Sequence, residues 1–366
     1  MTSERSSVDE ILARLQSYEG YKSARVGAES GNHLIGLDSN ENYFADAELI
    51  RKMARKAVQC DLRIYPREEM IELREKLGSW LQVEPESVVL ANGEDQVIDL
   101  AAAVLSKEGS AVSVSPTYSM YRLRLELIGA KLIQVPLRKD FSLDVERLLS
   151  VASESRALMM FLCSPNNPTA NQFSEASIVQ ILNGFRGLVI LDEAYAEFAD
   201  CSVVPLVREY SRLAVMRTFS KAFGIAGARL GYMVANPQLS KVFAEKAQLP
   251  YPIGRFTARL GIECLRNLKA MQDSVSEMKQ ERSWLIDHLR RVEGIRVFDS
   301  QANFVLVCTG RNSSRFSARL QSLGILVRDF SDMLGFRGCL RVTVGTRSMS
   351  EKFLDALEEV MRDEQL

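Results

Sequence analysis

Histidine is almost missing from this chain of 366 residues, which has only His33 and His288. That scarcity argues against histidine-based catalysis and histidine-rich metal sites, so no bound metal is expected. Cysteine offers no substitute. The six cysteines (Cys60, Cys163, Cys201, Cys264, Cys308, Cys339) show no Cys-x-x-Cys spacing. Neither a zinc site nor a disulfide framework is therefore expected, and a reduced, cytoplasmic setting is. An excess of one charge is also lacking: 46 Lys and Arg face 47 Asp and Glu, a net charge of -1. Nothing in that balance favours nucleic acid or an anionic membrane as a partner. The longest apolar runs, such as Ala157 to Cys163, are the size of strands and too short to span a bilayer. The opening M-T-S-E-R-S-S-V-D-E has no apolar core of the kind a signal peptide needs. Internal repeats and low-complexity tracts are absent as well.

What the chain does have is apolar material, 46% of its residues, enough for one large and one small domain. Val8 to Leu15 has helical apolar spacing. Gln16 to Leu34 is irregular and glycine-rich, and Leu37 to Phe44 is rich in turn residues. An arm of this sort usually lies across another surface, often a partner subunit. Helices are predicted over Glu48 to Cys60 and Glu68 to Trp80. Seven strands then alternate with helices: Val88 to Leu90, Ala111 to Val114, Lys131 to Val135, Ala157 to Cys163, Leu188 to Leu191, Leu213 to Met216 and Arg229 to Val234. The alternation predicts an α/β fold with a mainly parallel seven-stranded sheet between helices. After Pro250-Tyr251-Pro252 come amphipathic helices and then short strands, read as a smaller α+β domain. The expected units are an arm over 1–45, a large domain over 46–250 and a small one over 251–366.

In parallel sheets ligands bind where strands end and helices begin, and the polar motifs fall at such ends. The strand Leu213 to Met216 runs into R-T-F-S-K-A-F-G-I-A-G-A-R-L-G-Y. A lysine among phenylalanines, Lys221, has its ammonium form disfavoured, which frees the amine to condense with a carbonyl. Pyridoxal phosphate is the common cofactor that exploits such a lysine, and Ser220 and Arg229 are groups a phosphate tail needs. At Gly93-Glu94-Asp95 a helix start offers backbone N–H groups to the same phosphate. Asp192 ends an apolar strand, where a carboxylate needs a cation such as a protonated pyridine nitrogen. Tyr195 follows it, in reach of the ring's phenolic oxygen. Asn167 sits in S-P-N-N-P-T, where two prolines aim its amide, and Tyr118 follows P-T as a ring to stack on a flat cofactor. Arg328 and Arg341, flanked by apolar strand residues, each need an anion, on the protein or on a substrate. Glu193 is read as structural.

These motifs, with N-G-E-D, L-D-E-A-Y-A-E-F and G-C-L-R-V-T-V-G-T, resemble those of the fold-type-I pyridoxal-phosphate aminotransferases. Within that group the chain is most similar to the histidinol-phosphate aminotransferases, over Tyr21 to about Arg347. The resemblance implies that Lys221 is the cofactor lysine and proton carrier, and that Asp192 pairs with the pyridine nitrogen. It implies that Asn167 and Tyr195 hold the phenolic oxygen and that Tyr118 stacks on the ring. The phosphate would rest on Gly93, Glu94, Asp95, Ser220, Arg229 and, from the partner of a homodimer, Tyr65. Arg328 and Arg341 would take the phosphate of histidinol phosphate or the carboxylate of 2-oxoglutarate and glutamate, and Tyr21 would line the imidazole pocket. An aromatic aminotransferase, a phosphothreonine-type decarboxylase and a non-catalytic binding protein share the scaffold and stay open. The sequence departs from the family pattern at Ala170, where glycine is usual, at N-E-N-Y-F-A-D, which lacks a proline, and at Ile64, where arginine is usual.

Overall fold

The computed structural model describes residues 7–20, 34–105 and 109–363. Twelve strands appear among them. β1 is Ile35–Leu37, β2 Val88–Asn92, β3 Ser110–Ser115, β4 Lys131–Pro136, β5 Met159–Cys163 and β6 Leu188–Asp192. β7 is Leu213–Thr218, β8 Leu230–Ala235, β9 Arg296–Val297, β10 Phe304–Cys308, β11 Ile325–Met333 and β12 Phe336–Thr343. One sheet has seven strands in the order β2-β8-β7-β6-β5-β3-β4. Every neighbouring pair in it is parallel except the two made by β8. The mainly parallel seven-stranded sheet expected from the sequence is therefore present, with β8 as its one reversed strand.

Why these segments are strands is visible in their burial. β5 (M-M-F-L-C), β7 and β8 are buried at every position, as strands covered on both faces must be. Alternate residues go to opposite layers. Met160 and Leu162 join one core, while Met159, Phe161 and Cys163 join the other. Helices α1 (Ser7–Gln16), α2 (Ala47–Ala57), α3 (Arg67–Leu81), α4 (Asp95–Leu105), α5 (Met120–Leu127), α6 (Val145–Glu154), α7 (Glu175–Gly184) and α8 (Pro237–Val242) accompany this part of the chain. Asp46, Asp144 and Ser174 cap α2, α6 and α7 through their side-chain oxygens. Helices α6 and α7 fill places between strands where the alternation calls for a helix without fixing its bounds.

The second sheet runs β1-β11-β12-β10-β9, among helices α9 (Arg255–Arg266), α10 (Leu268–Leu289), α11 (Ser313–Ser322) and α12 (Arg347–Asp363). Its first strand comes from the N-terminal segment: β1 lies parallel to β11, pairing Ile35 with Ile325. The chain therefore crosses from one sheet to the other through residues 38–46, and this crossing brings Ser39 and Asn40 to the site. The expectation of no disulfide is corrected. Cys308 and Cys339 face each other across β10 and β12 and are bonded, with Cα atoms 4.1 Å apart. Thirty-one residues separate them in sequence, so only the strand register pairs them. No described helix is long and apolar enough to cross a membrane.

Candidate active site

The cleft forms where β5, β6 and β7 end, with the 38–46 crossing on one side and β12 on another. Its lining includes Ser39, Asn40, Glu94, Asp95, Tyr118 and Cys163. Asn167, Asp192, Ala194, Tyr195, Thr218, Ser220, Lys221, Arg229 and Arg341 complete it.

Asp192 ends β6 and is 2% exposed. Its carboxylate accepts from the Tyr121 hydroxyl at 2.5 Å and from the Ala194 N–H at 2.9 Å. Neither donor is a cation. Burial therefore dominates and pushes its acid up to about 6, while the two donors pull it back. Lys221 follows β7, and its Nζ donates to the Ser39 carbonyl at 3.1 Å. Burial first and the Arg341 guanidinium second bring its ammonium down to about 8. The two groups are thus shifted towards one another from opposite directions, a pattern that marks sites of proton chemistry.

Tyr195 is buried, and burial moves its phenol upward. Its hydroxyl accepts from Asn40 Nδ2 at 3.0 Å. Arg341 is 7% exposed and donates Nη1 to Asn167 Oδ1 at 2.7 Å and Nη2 to the Asp38 carbonyl at 2.5 Å. Because Oδ1 of Asn167 accepts there, the NH2 end of that amide is the end left to donate. Tyr118 donates to Asp95 Oδ1 at 3.0 Å, and Arg229 Nη2 donates to Asp95 Oδ2 at 3.1 Å. Arg229 Nη1 reaches Ser220 Oγ at 3.5 Å. Gly93 takes a positive φ of 71°, and a Cβ there would collide with the Arg229 guanidinium.

The structure gathers Glu94, Asp95, Tyr118, Asn167, Asp192, Tyr195, Ser220, Lys221, Arg229 and Arg341 in one cleft. Two sequence candidates, Arg328 and Tyr65, are not among its lining residues. Arg328 pairs with Arg341 in the register of β11 and β12. Tyr65 is 72% exposed, its ring stacked on Tyr251 at 4.6 Å between centroids. Tyr21 lies outside the described residues. Glu193, read as structural, makes a buried ion pair with Arg217, Oε2 to Nη2 at 2.7 Å.

Sequence reasoning missed Tyr121 and Asn40. Tyr121 stands in P-T-Y-S-M-Y, about one helical turn past Tyr118, and nothing local in the sequence marks its bond to Asp192. Asn40 gave only a turn signal. In the fold it is buried, with its Nδ2 on Tyr195, its N–H on Thr343 and its carbonyl accepting from Asn303.

A family profile decides the class: that of aminotransferase class I and II matches residues 32–357. The chain belongs to that family. This aminotransferase is 34% identical over 348 residues to a protein of Caldanaerobacter subterraneus subsp. tengcongensis named histidinol-phosphate aminotransferase, covering 94% of this chain and 98% of that one. A protein of the same name from Thermococcus gammatolerans is 36% identical over 354 residues, covering 96% and 97%. In structure, the aminotransferase superposes on histidinol-phosphate aminotransferase from Sinorhizobium meliloti in complex with pyridoxal-5'-phosphate, with a TM-score of 0.87. That pair shares 23% identity and covers 100% of each chain, a likeness of fold.

Proposed function

We propose that this aminotransferase moves the amino group of L-histidinol phosphate to 2-oxoglutarate, with pyridoxal 5'-phosphate as cofactor. The products are imidazole-acetol phosphate and L-glutamate, a step of L-histidine biosynthesis. One observation carries the reaction type: Lys221, Asp192, Tyr195, Asn167 and Arg341, from separate segments, line one cleft. The substrate is supported by the shared name of the two relatives above.

The residues suit that cofactor. A Cβ on Gly231 would collide with the Glu94 nitrogen, so glycine there leaves β8 close against the start of α4. That helix start, the Ser220 hydroxyl and the Arg229 guanidinium make a cradle for a phosphate ester. Asp192, held by two neutral donors, suits a protonated pyridine nitrogen. The Asn167 NH2 and the Tyr195 hydroxyl suit the phenolic oxygen, and the Tyr118 ring suits the cofactor face.

When bound, pyridoxal phosphate supplies an electron sink for the pair left as the substrate's α-proton departs. Lys221 holds and moves that proton at Nζ, and an ammonium near 8 leaves a usable share of free amine at neutral pH. Asp192 keeps the pyridine nitrogen charged. Arg341, with Arg328 beside it in register, takes the phosphate of one substrate and the carboxylate of the other in turn. Tyr65 serves the phosphate of the partner's site in a homodimer. Its exposure supports this, as do the exposed Leu62, Ile64 and Leu249 on neighbouring stretches of chain.

Amino donors compared with 2-oxoglutarate as acceptor test the reading. Histidinol phosphate should exceed phenylalanine, tyrosine and phosphothreonine in kcat/KM by at least roughly two orders of magnitude, since none of the three presents an imidazole and a phosphate together. Parity of the aromatic acids would replace the substrate. Carbon dioxide release without dependence on 2-oxoglutarate would replace the reaction.

A further inference from the structure

The cofactor reading uses Glu94 only through its backbone and leaves its carboxyl without a task. Glu94 stands immediately before α4 and lines the cleft with Asp95, Ser220 and Arg229. Its Oε2 is sealed from solvent and has no hydrogen-bond partner in the protein. A buried polar atom with no partner pays its desolvation cost in full unless a ligand supplies the missing contact.

The surroundings say which form of the carboxyl is present. Asp192 from the end of β6 and Asp95 from α4 oppose its ionisation, while Lys221 and Arg229 favour it. Tyr118 and Tyr121 of the β3–α5 region, Cys163 of β5 and Tyr195 face it as further titratable groups. Burial is the largest influence, and the balance holds its acid well above the ordinary carboxylate range. A carboxylate so close to the phosphate cradle would repel a dianion. The acid form has an O–H to give it.

We propose that Glu94 is a further cofactor-contacting residue, whose acid form donates a hydrogen bond to the phosphate of the bound cofactor. The inference rests on the cofactor reading above and adds a consequence to it: cofactor loading is coupled to a proton. Affinity is full while Glu94 carries its proton and declines as pH rises through the titration of Glu94 in the cofactor-free protein. The bound phosphate extends the protonated range further upward.

The test uses the full chain stripped of cofactor and pyridoxamine 5'-phosphate as probe, which has no aldehyde and so binds without condensing with Lys221. Dissociation constants are measured by near-ultraviolet absorbance from pH 6 to 9 for the wild type, Glu94→Gln and Glu94→Ala. The probe's own titrations cancel in the ratio of wild-type to Glu94→Gln constants. That ratio should rise with pH, by up to about tenfold per pH unit above the titration of Glu94 in the cofactor-free wild type, because glutamine keeps a donor and never ionises. Calorimetry in two buffers of different ionisation enthalpy should show proton uptake on binding by the wild type at the upper end of that range and its loss in Glu94→Gln. Glu94→Ala, which cannot ionise either, should likewise lose the wild-type decline and serves if glutamine fails to fold. A flat ratio, or an uptake unchanged by the substitutions, overturns the role of Glu94 and leaves the cofactor reading standing. Absence of probe binding in every variant overturns both.

Discussion

At the scale of the residue, Asp192 shows how the site trades stability for chemistry. Its acid is raised from 3.8 to about 6 by burial, so between those pH values the native state binds more protons than the unfolded chain. Stability of the cofactor-free protein therefore falls as pH climbs through that window and stays lowered above it. At about 1.4 kcal/mol per pH unit the cost is on the order of 3 kcal/mol. Asp192→Asn removes the charge and keeps the bonds, since its oxygen accepts from Ala194 and its NH2 meets the Tyr121 hydroxyl, which can also accept. The cofactor-free variant should be more stable than wild type at pH 7.5 by about 1–3 kcal/mol in urea, with the gap closing towards pH 4. Its turnover should fall by roughly 10²–10³, because a neutral amide cannot hold the pyridine nitrogen charged. A variant less stable than wild type at pH 7.5 would contradict the account of Asp192 as a buried charge without a cation. The place of Asp192 in the cleft was legible beforehand, because a carboxylate closing an apolar strand is conspicuous. Asn40 was not, since its partner Tyr195 lies 155 residues away and nothing local marks the pairing.

At the scale of the element, the proposed phosphate cradle depends on a close approach of β8 to the start of α4 that glycine allows. Gly231 pairs with Ala91 of β2 and with Thr218 of β7, and a Cβ on it would meet the Gly93 carbonyl group and the Glu94 nitrogen. Gly231→Ala must push the helix start away from the sheet, because both colliding groups are backbone and neither can turn aside. The expected result is a cofactor dissociation constant raised at least roughly tenfold, with a stability cost of about 1–3 kcal/mol. An unchanged constant, measured by absorbance titration, would show that the cradle does not depend on this contact. The strands around it were readable as apolar runs ending in polar motifs, and the seven found match the seven expected. The bounds of helices α6 and α7 were not, because V-E-R-L-L-S-V-A-S-E and E-A-S-I-V-Q-I-L-N-G dilute short apolar stripes with serine, valine and glycine, weak helix formers. Ala170 is a different case. It takes the positive φ, 64°, that glycine would hold freely, and its N–H and carbonyl are fixed by Asn166 and Gln301.

At the scale of the whole molecule, the question is whether one chain contains a complete site. The 38–46 crossing ties both sheets to the cleft through Ser39 and Asn40, so a single chain supplies Lys221, Asp192 and Arg341 by itself. Tyr65 is the exception, exposed and absent from the lining of its own cleft. If it completes the neighbour's phosphate cradle, two defective chains can repair one another. Lys221→Ala should have no measurable turnover, and Tyr65→Ala should turn over slowly with weakened cofactor binding. In a mixed dimer one site then carries both defects, while the other pairs an intact Lys221 with an intact Tyr65 from across the interface. Random reassortment makes half of the dimers mixed, each with one good site of two, so an equal mixture should recover about a quarter of wild-type activity. Had Tyr65 served its own chain, the intact Lys221 of a mixed dimer would still sit beside the altered Tyr65, and mixing would recover nothing. Activity assayed before and after co-refolding of the two variants separates these arrangements, and a mixture no more active than Tyr65→Ala would rule out the shared site.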